Sequence, residues 1–123
     1  MNLQKCHNQS DLRRAAKKRL PSPIFNYLDG GSDDEIALQR STSAFNDYEL
    51  LPRYLRNVEN IDLKTRVLGQ EIDLPLFLAP TGMSRLFHHE REFAVAKAAQ
   101  KFGTIYSLST LGTASIEEIA QTI

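Results

Sequence analysis

The alternation of apolar and polar positions divides the chain into a helical front and a strand–helix back. Leu12, Ala15, Ala16 and Arg19 fall at i, i+3, i+4 and i+7, which predicts a helix over Asp11 to Arg19 with Ser10 as N-cap. Leu20-Pro21-Ser22-Pro23 stops it, because the residue before a proline is pushed out of the α region. Ile24 to Leu28 is a short apolar-rich segment holding Tyr27, and Asp29-Gly30-Gly31 is a turn. Ser32 and Glu35 match a capping box, so a helix is expected from there to about Phe45. Val67 to Ile72 predicts a hairpin turning at Gly69-Gln70.

Leu74 to Ala79 is an unbroken apolar run, as in a strand of a parallel sheet covered on both faces. A loop follows from Pro80 to His89. Glu90 to Phe102 has the clearest helical pattern, with Val95, Ala98, Ala99 and Phe102 on one face and Gly103 as the stop. Thr104 to Ser109 is a second apolar strand, Thr110 to Ala114 a loop. Ser115 to Glu118 is a second capping box, opening a helix toward Ile123. Strand, helix, strand, helix implies a parallel sheet with crossover helices. Two such strands cannot bury both sheet faces, and a (β/α)8 barrel needs eight strands over roughly 250 residues. The expected fold class is therefore α/β: the N-terminal portion of a (β/α)8 TIM barrel, incomplete in this chain. Residues 1–66 form its N-terminal helical segment and 67–123 the hairpin and first barrel β/α units, all in one domain.

Composition narrows the function classes. The 123 residues are 41% hydrophobic and 24% charged, as in soluble globular proteins. Fifteen basic residues balance fifteen acidic ones, so net charge makes no case for nucleic acid. The single cysteine, Cys6, excludes an internal disulfide framework. The first twenty residues lack the apolar core of a secretory signal, and no apolar run approaches the ~20 residues that span a bilayer. The expected location is cytoplasmic, with peripheral contact at the inner membrane face the one form of membrane association allowed. Arg13, Arg14, Lys17 and Lys18 make one face of the first helix basic, which reads either as a solvated face or as a surface for anionic lipid.

Two places can carry chemistry. Pro80, Thr81 and Gly82 follow one parallel strand, and Ser109 and Thr110 end the next. They would be neighbours at the C-terminal rim, where barrels of this kind bind ligands. Their hydroxyls and backbone amides suit a flat heteroaromatic ring or a phosphate. The plain alternative is a turn and a strand-end cap. Tyr27 offers a hydroxyl to a carboxylate in a dry pocket, or packs as an aromatic beside Phe25. His88 and His89 do not form His-Glu-x-x-His and do not support a metal site. Gly30-Gly31 lacks Gly-x-Gly-x-x-Gly spacing and does not follow a strand. No catalytic residue is assigned within the chain.

PSPIFNYLDGGSDDE, LPLFLAPTGM, GTIYSLST and SIEEIA, in this order and spacing, resemble the N-terminal third of the FMN-dependent 2-hydroxy-acid dehydrogenases and oxidases. That family includes L-lactate dehydrogenase, glycolate oxidase and mandelate dehydrogenase. The resemblance covers about residues 10 to 123. It implies a (β/α)8 barrel with FMN at the C-terminal rim. It places Tyr27 as the tyrosine that binds the substrate carboxylate, Pro80, Thr81 and Gly82 along the flavin, and Ser109 against it. Many members carry Ala where this chain has Gly82, and some place a bulky aromatic near Leu111. The family's His base, carboxylate-binding Arg and flavin-stabilising Lys lie in the later barrel, outside this chain.

The expected activity of the full-length parent is thus oxidation of a small (S)-2-hydroxy acid, with L-lactate favoured, to the 2-oxo acid. The isolated 123 residues are expected to be inactive. The electron acceptor is open among oxygen, quinone and cytochrome, and the parent is expected to be a homo-oligomer, as family tetramers are. The competing readings are a truncated remnant or an interaction module without flavin, and another flavin barrel of the type 2 isopentenyl diphosphate isomerase kind.

Overall fold

The computed structural model describes residues 3–123, which divide into two compact units, one up to residue 55 and one over residues 56–123. In the first, a 3₁₀ turn over Leu3–Lys5 precedes α1 (Gln9–Arg19), α2 (Ser22–Asp29) and α3 (Ile36–Ser43), and α3 runs on into a 3₁₀ turn, Ala44–Asp47. The N-cap of α1 is Asn8 rather than Ser10: the Asn8 side chain accepts from the Asp11 N–H at 2.9 Å. Asn and Ser cap about equally well, so the helix starts at the earlier of the two.

The segment around Tyr27 is a true helix. Pro23 lies in its first turn, where a missing N–H costs nothing. α2 turns Phe25 inward, 5% exposed, and α1 packs against it, with Lys17 Nζ 5.9 Å from the Phe25 ring centre. Arg13 and Asp29 join α1 to the end of α2 through a forked ion pair, the two hydrogen bonds being 2.5 and 2.8 Å. The pair raises the arginine's pKa and lowers that of the aspartate, in each case chiefly through the hydrogen bond. The capping box expected at Ser32 does not form. Glu35, itself left-handed at φ 58°, is the N-cap of α3, and its carboxylate reaches back to the Gly31 N–H at 3.1 Å.

In the second unit, β1 (Thr65–Val67) and β2 (Gln70–Ile72) pair antiparallel, with Val67 opposite Gln70. The turn is therefore Leu68-Gly69, one residue earlier than expected, and both residues have positive φ, 50° and 81°. That matches the twist of a two-residue hairpin. Neither apolar run is a full strand. Leu74 to Ala79 and Thr104 to Ser109 meet in a single parallel bridge, Leu78 to Tyr106. Leu78 N–H donates to the Ile105 carbonyl at 2.9 Å, and Ser107 N–H donates to the Leu78 carbonyl at 3.0 Å. Leu76 and Phe77 are 58% and 53% exposed, so the burial expected of that run is not reached within the chain. Parallel sheets are ordinarily covered on both faces, a condition these two runs do not meet within the described residues.

Between the two runs lies α4 (Arg91–Lys101), followed later by α5 (Ile116–Ala120). α4 ends in a Schellman motif: Gly103 N–H donates to Gln100 carbonyl at 3.2 Å and Thr104 N–H to Ala99 carbonyl at 3.0 Å. Gly103 sits at φ +60°, which suits glycine and few other residues. The capping box of α5 forms in full. The Ser115 hydroxyl accepts from the Glu118 N–H at 3.1 Å, and the Glu118 carboxylate accepts from the Ser115 N–H at 2.7 Å. The core of this unit is Ile72, Ala96, Ala99 and Ile119. Its α4 stripe is therefore 92, 96 and 99, turned from the expected Val95, Ala98, Ala99 and Phe102; Phe102 is 60% exposed. Among the described residues no helix is long and apolar enough to cross a membrane.

Candidate functional site

The parallel bridge brings the ends of the two runs together. Pro80 stands two residues past Leu78, and Ser109 three past Tyr106. The turns that follow are tied directly: Met83 N–H donates to the Leu111 carbonyl at 2.9 Å. Gly82 lies against the second turn, and a Cβ built on it would meet Leu111 Cβ at 2.8 Å and Ser109 Oγ at 3.4 Å. In this chain the glycine leaves room for the close approach of Leu111. Pro80, Thr81, Gly82 and Ser109 are thus one cluster, as the sequence suggested.

Each turn is internally braced. The Ser109 hydroxyl accepts from the Leu111 N–H at 3.1 Å, and the Ser109 carbonyl from the Gly112 N–H at 2.9 Å. In the first turn the Ser84 hydroxyl donates to the Thr81 carbonyl at 3.3 Å, and a 3₁₀ turn over Ser84–Leu86 carries the chain toward α4. The Ser109 hydroxyl keeps its own proton for a further bond, since here its oxygen acts as acceptor. Thr81 is exposed and adds a second hydroxyl.

One buried carboxylate beside the rim escaped the sequence reading. Glu92, in the first turn of α4, has no exposed surface. Its carboxylate accepts from both the Thr113 N–H at 3.0 Å and the Thr113 hydroxyl at 2.7 Å. Burial opposes the charged form, but the Thr113 bonds outweigh it and, with the residue's own backbone N–H, hold the carboxyl below its usual range. Burial, and then the negative charge of Glu92, push the Tyr106 phenol up. The Arg91 guanidinium donates to the Thr113 carbonyl and lies 4.7 Å from the Phe93 ring centre. The signal was present: Glu92, Ala96 and Ala99 fall at i, i+4 and i+7, so a carboxylate occupies a core position.

Tyr27 belongs to the first unit and is described there alone. It projects from α2 with 64% of its surface exposed, while Phe25 takes the inward position. The dry pocket expected around it is not formed by the described residues of that unit. His88 and His89 stack at 4.5 Å between ring centres, and His88 Nδ1 accepts from the Glu90 N–H. No group of three metal-ligating side chains occurs among the described residues.

Small residues and hydroxyls at the ends of parallel-paired strands are compatible with a ligand rim. The model of one family, the FMN-dependent dehydrogenases, matches residues 16–123. The chain belongs to this family, whose cofactor is FMN. It is 47% identical over 109 residues to a putative L-lactate dehydrogenase of Mycobacterium tuberculosis, which is 89% of this chain and 26% of that protein. Glycolate oxidase of Spinacia oleracea is 39% identical over 115 residues, 94% of this chain and 31% of that one. The solved structure of mandelate oxidase superposes with TM-score 0.85 at 40% identity, covering 92% of this chain and 33% of that chain. An oxidized active mutant of (S)-mandelate dehydrogenase gives 0.88 at 34% identity, over 95% and 33%. The chain thus spans about a third or less of the relatives it matches.

The rim fits the family's cofactor. A flavin ring is flat and carries acceptor oxygens and nitrogens along its edges. The half-buried Ser109 hydroxyl, the exposed Thr81 hydroxyl and the side-chain-free Gly82 suit such an edge.

Proposed function

We propose that this chain seats FMN and orients the substrate in an enzyme that oxidises a small (S)-2-hydroxy acid, L-lactate, to the 2-oxo acid. The observation that carries the reading is the convergence of Pro80, Thr81 and Gly82 with Ser109 on one bridged rim. When bound, FMN supplies the acceptor for the two electrons leaving the substrate carbon. The chain's own part is positioning. Pro80, Thr81, Gly82 and Ser109 would hold the cofactor, with the Ser109 hydroxyl as a hydrogen-bond donor to it. Tyr27 donates its hydroxyl to the substrate carboxylate. The choice of lactate is supported by the Mycobacterium tuberculosis relative, described as a putative L-lactate dehydrogenase. Other relatives are named for glycolate, so the substrate is a matter for assay.

The test is Tyr27→Phe in the intact protein, assayed with L-lactate, glycolate and mandelate. A hydrogen bond to a charged group is worth about 1.5–3 kcal/mol, so kcat/KM for the preferred acid should fall roughly 10- to 150-fold. Flavin content should not change. Unaltered kinetics would remove Tyr27 from the site, and a preference for glycolate or mandelate would replace lactate.

A further inference from the structure

Glu92 is unusual in where its bonds go. A fully buried carboxylate is costly unless it is well bonded, and an apolar residue of similar size would fill the same position on the α4 stripe. Yet each oxygen of this one accepts from a single residue of the rim, Thr113. With Arg91 on the Thr113 carbonyl, every polar group of Thr113 is fixed to the first turn of α4. Thr113 is two residues past Leu111, the residue that both contacts Gly82 and accepts from Met83 N–H. The first rim turn hangs on the same place, because the Ser84–Leu86 turn packs on α4.

We propose that Glu92 is the positioning residue of the cofactor rim: its carboxylate sets the 109–113 turn and, through Leu111, the Pro80–Met83 turn. The proposal rests on the flavin reading of that rim. Glu92 is fully buried on α4 with its carboxylate bonded to Thr113, so it acts through the turns.

The experiment uses Glu92→Gln and Thr113→Val in the intact protein. Each removes charge-assisted bonding with little change of volume. FMN affinity, read by quenching of flavin fluorescence, should fall about tenfold, the size of one lost hydrogen bond to a charged group. The visible circular dichroism of bound flavin should change, and far-ultraviolet dichroism should not. Thr113→Val decides the matter if Glu92→Gln does not fold. Lower thermal stability with FMN affinity and flavin dichroism intact would reduce Glu92 to a structural tie and overturn the proposal. If the unaltered protein binds no FMN, the flavin reading fails instead. The positioning claim is then decided by amide spectra of Glu92→Gln. Joint movement of the Gly82, Met83 and Leu111 signals supports it, and unmoved Gly82 and Met83 signals overturn it.

Discussion

Gly82→Ala tests the rim geometry most sharply. The added methyl would stand 2.8 Å from Leu111 Cβ, against the 3.5–4.0 Å of an ordinary carbon contact. Leu111 Cβ is attached to the backbone and cannot swing away like the end of a long side chain. The two turns must therefore separate by roughly 1 Å, which strains the Met83 N–H bond to the Leu111 carbonyl, 2.9 Å long. Overpacking of this kind costs about 1–3 kcal/mol. Leu111→Gly removes the opposing Cβ, and since Leu111 is 65% exposed the lost burial is small. Urea denaturation followed by far-ultraviolet dichroism should show Gly82→Ala destabilising the native protein. The same substitution should cost less in the Leu111→Gly background, with a coupling of at least about 0.5 kcal/mol between the two sites. Equal costs in both backgrounds would refute the contact between the turns.

Two further outcomes follow from single residues. Gly103→Ala should destabilise by about 1–2 kcal/mol from the left-handed backbone alone, and more in total because its Cβ would lie 2.9 Å from Asp73 Cβ; thermal melts that do not move would contradict this. Glu92 is held below its ordinary value of 4.5, so the unfolded chain takes up its proton first as pH falls. Its stabilising effect is full above that value and is lost as pH drops through the lower folded value. Urea midpoints measured from pH 7 to pH 3 should fall less steeply in Glu92→Gln, and identical slopes would show that folding does not lower the pKa of Glu92.

How much was legible in the sequence depended on how local each feature is. α4, its Gly103 stop and the Ser115 capping box rest on contacts within a few residues, and all three formed as expected. The hairpin was legible but its turn was displaced, because Leu68 adopts a backbone that leucine rarely takes. The segment holding Tyr27 was underestimated, since Pro23 reads as a breaker yet sits in a helix's first turn. The Ser32 box failed because Glu35 satisfies the Gly31 amide instead. Strand extent was not legible. Leu74 to Ala79 has the composition of a buried strand, but ladder length depends on neighbours that the run itself does not encode. The rim cluster could be read from strand-end position alone. Glu92 could not be found by scanning for polar loops, because it hides on an otherwise apolar helix face.

The most direct test of the central claim is anaerobic mixing of the intact, purified protein with L-lactate while its visible absorbance is followed. The account predicts a flavin spectrum before mixing and bleaching near 450 nm on addition, with pyruvate formed in equal amount to the flavin reduced. A protein without flavin absorbance, or one whose flavin stays oxidised with lactate, glycolate and mandelate alike, would contradict it.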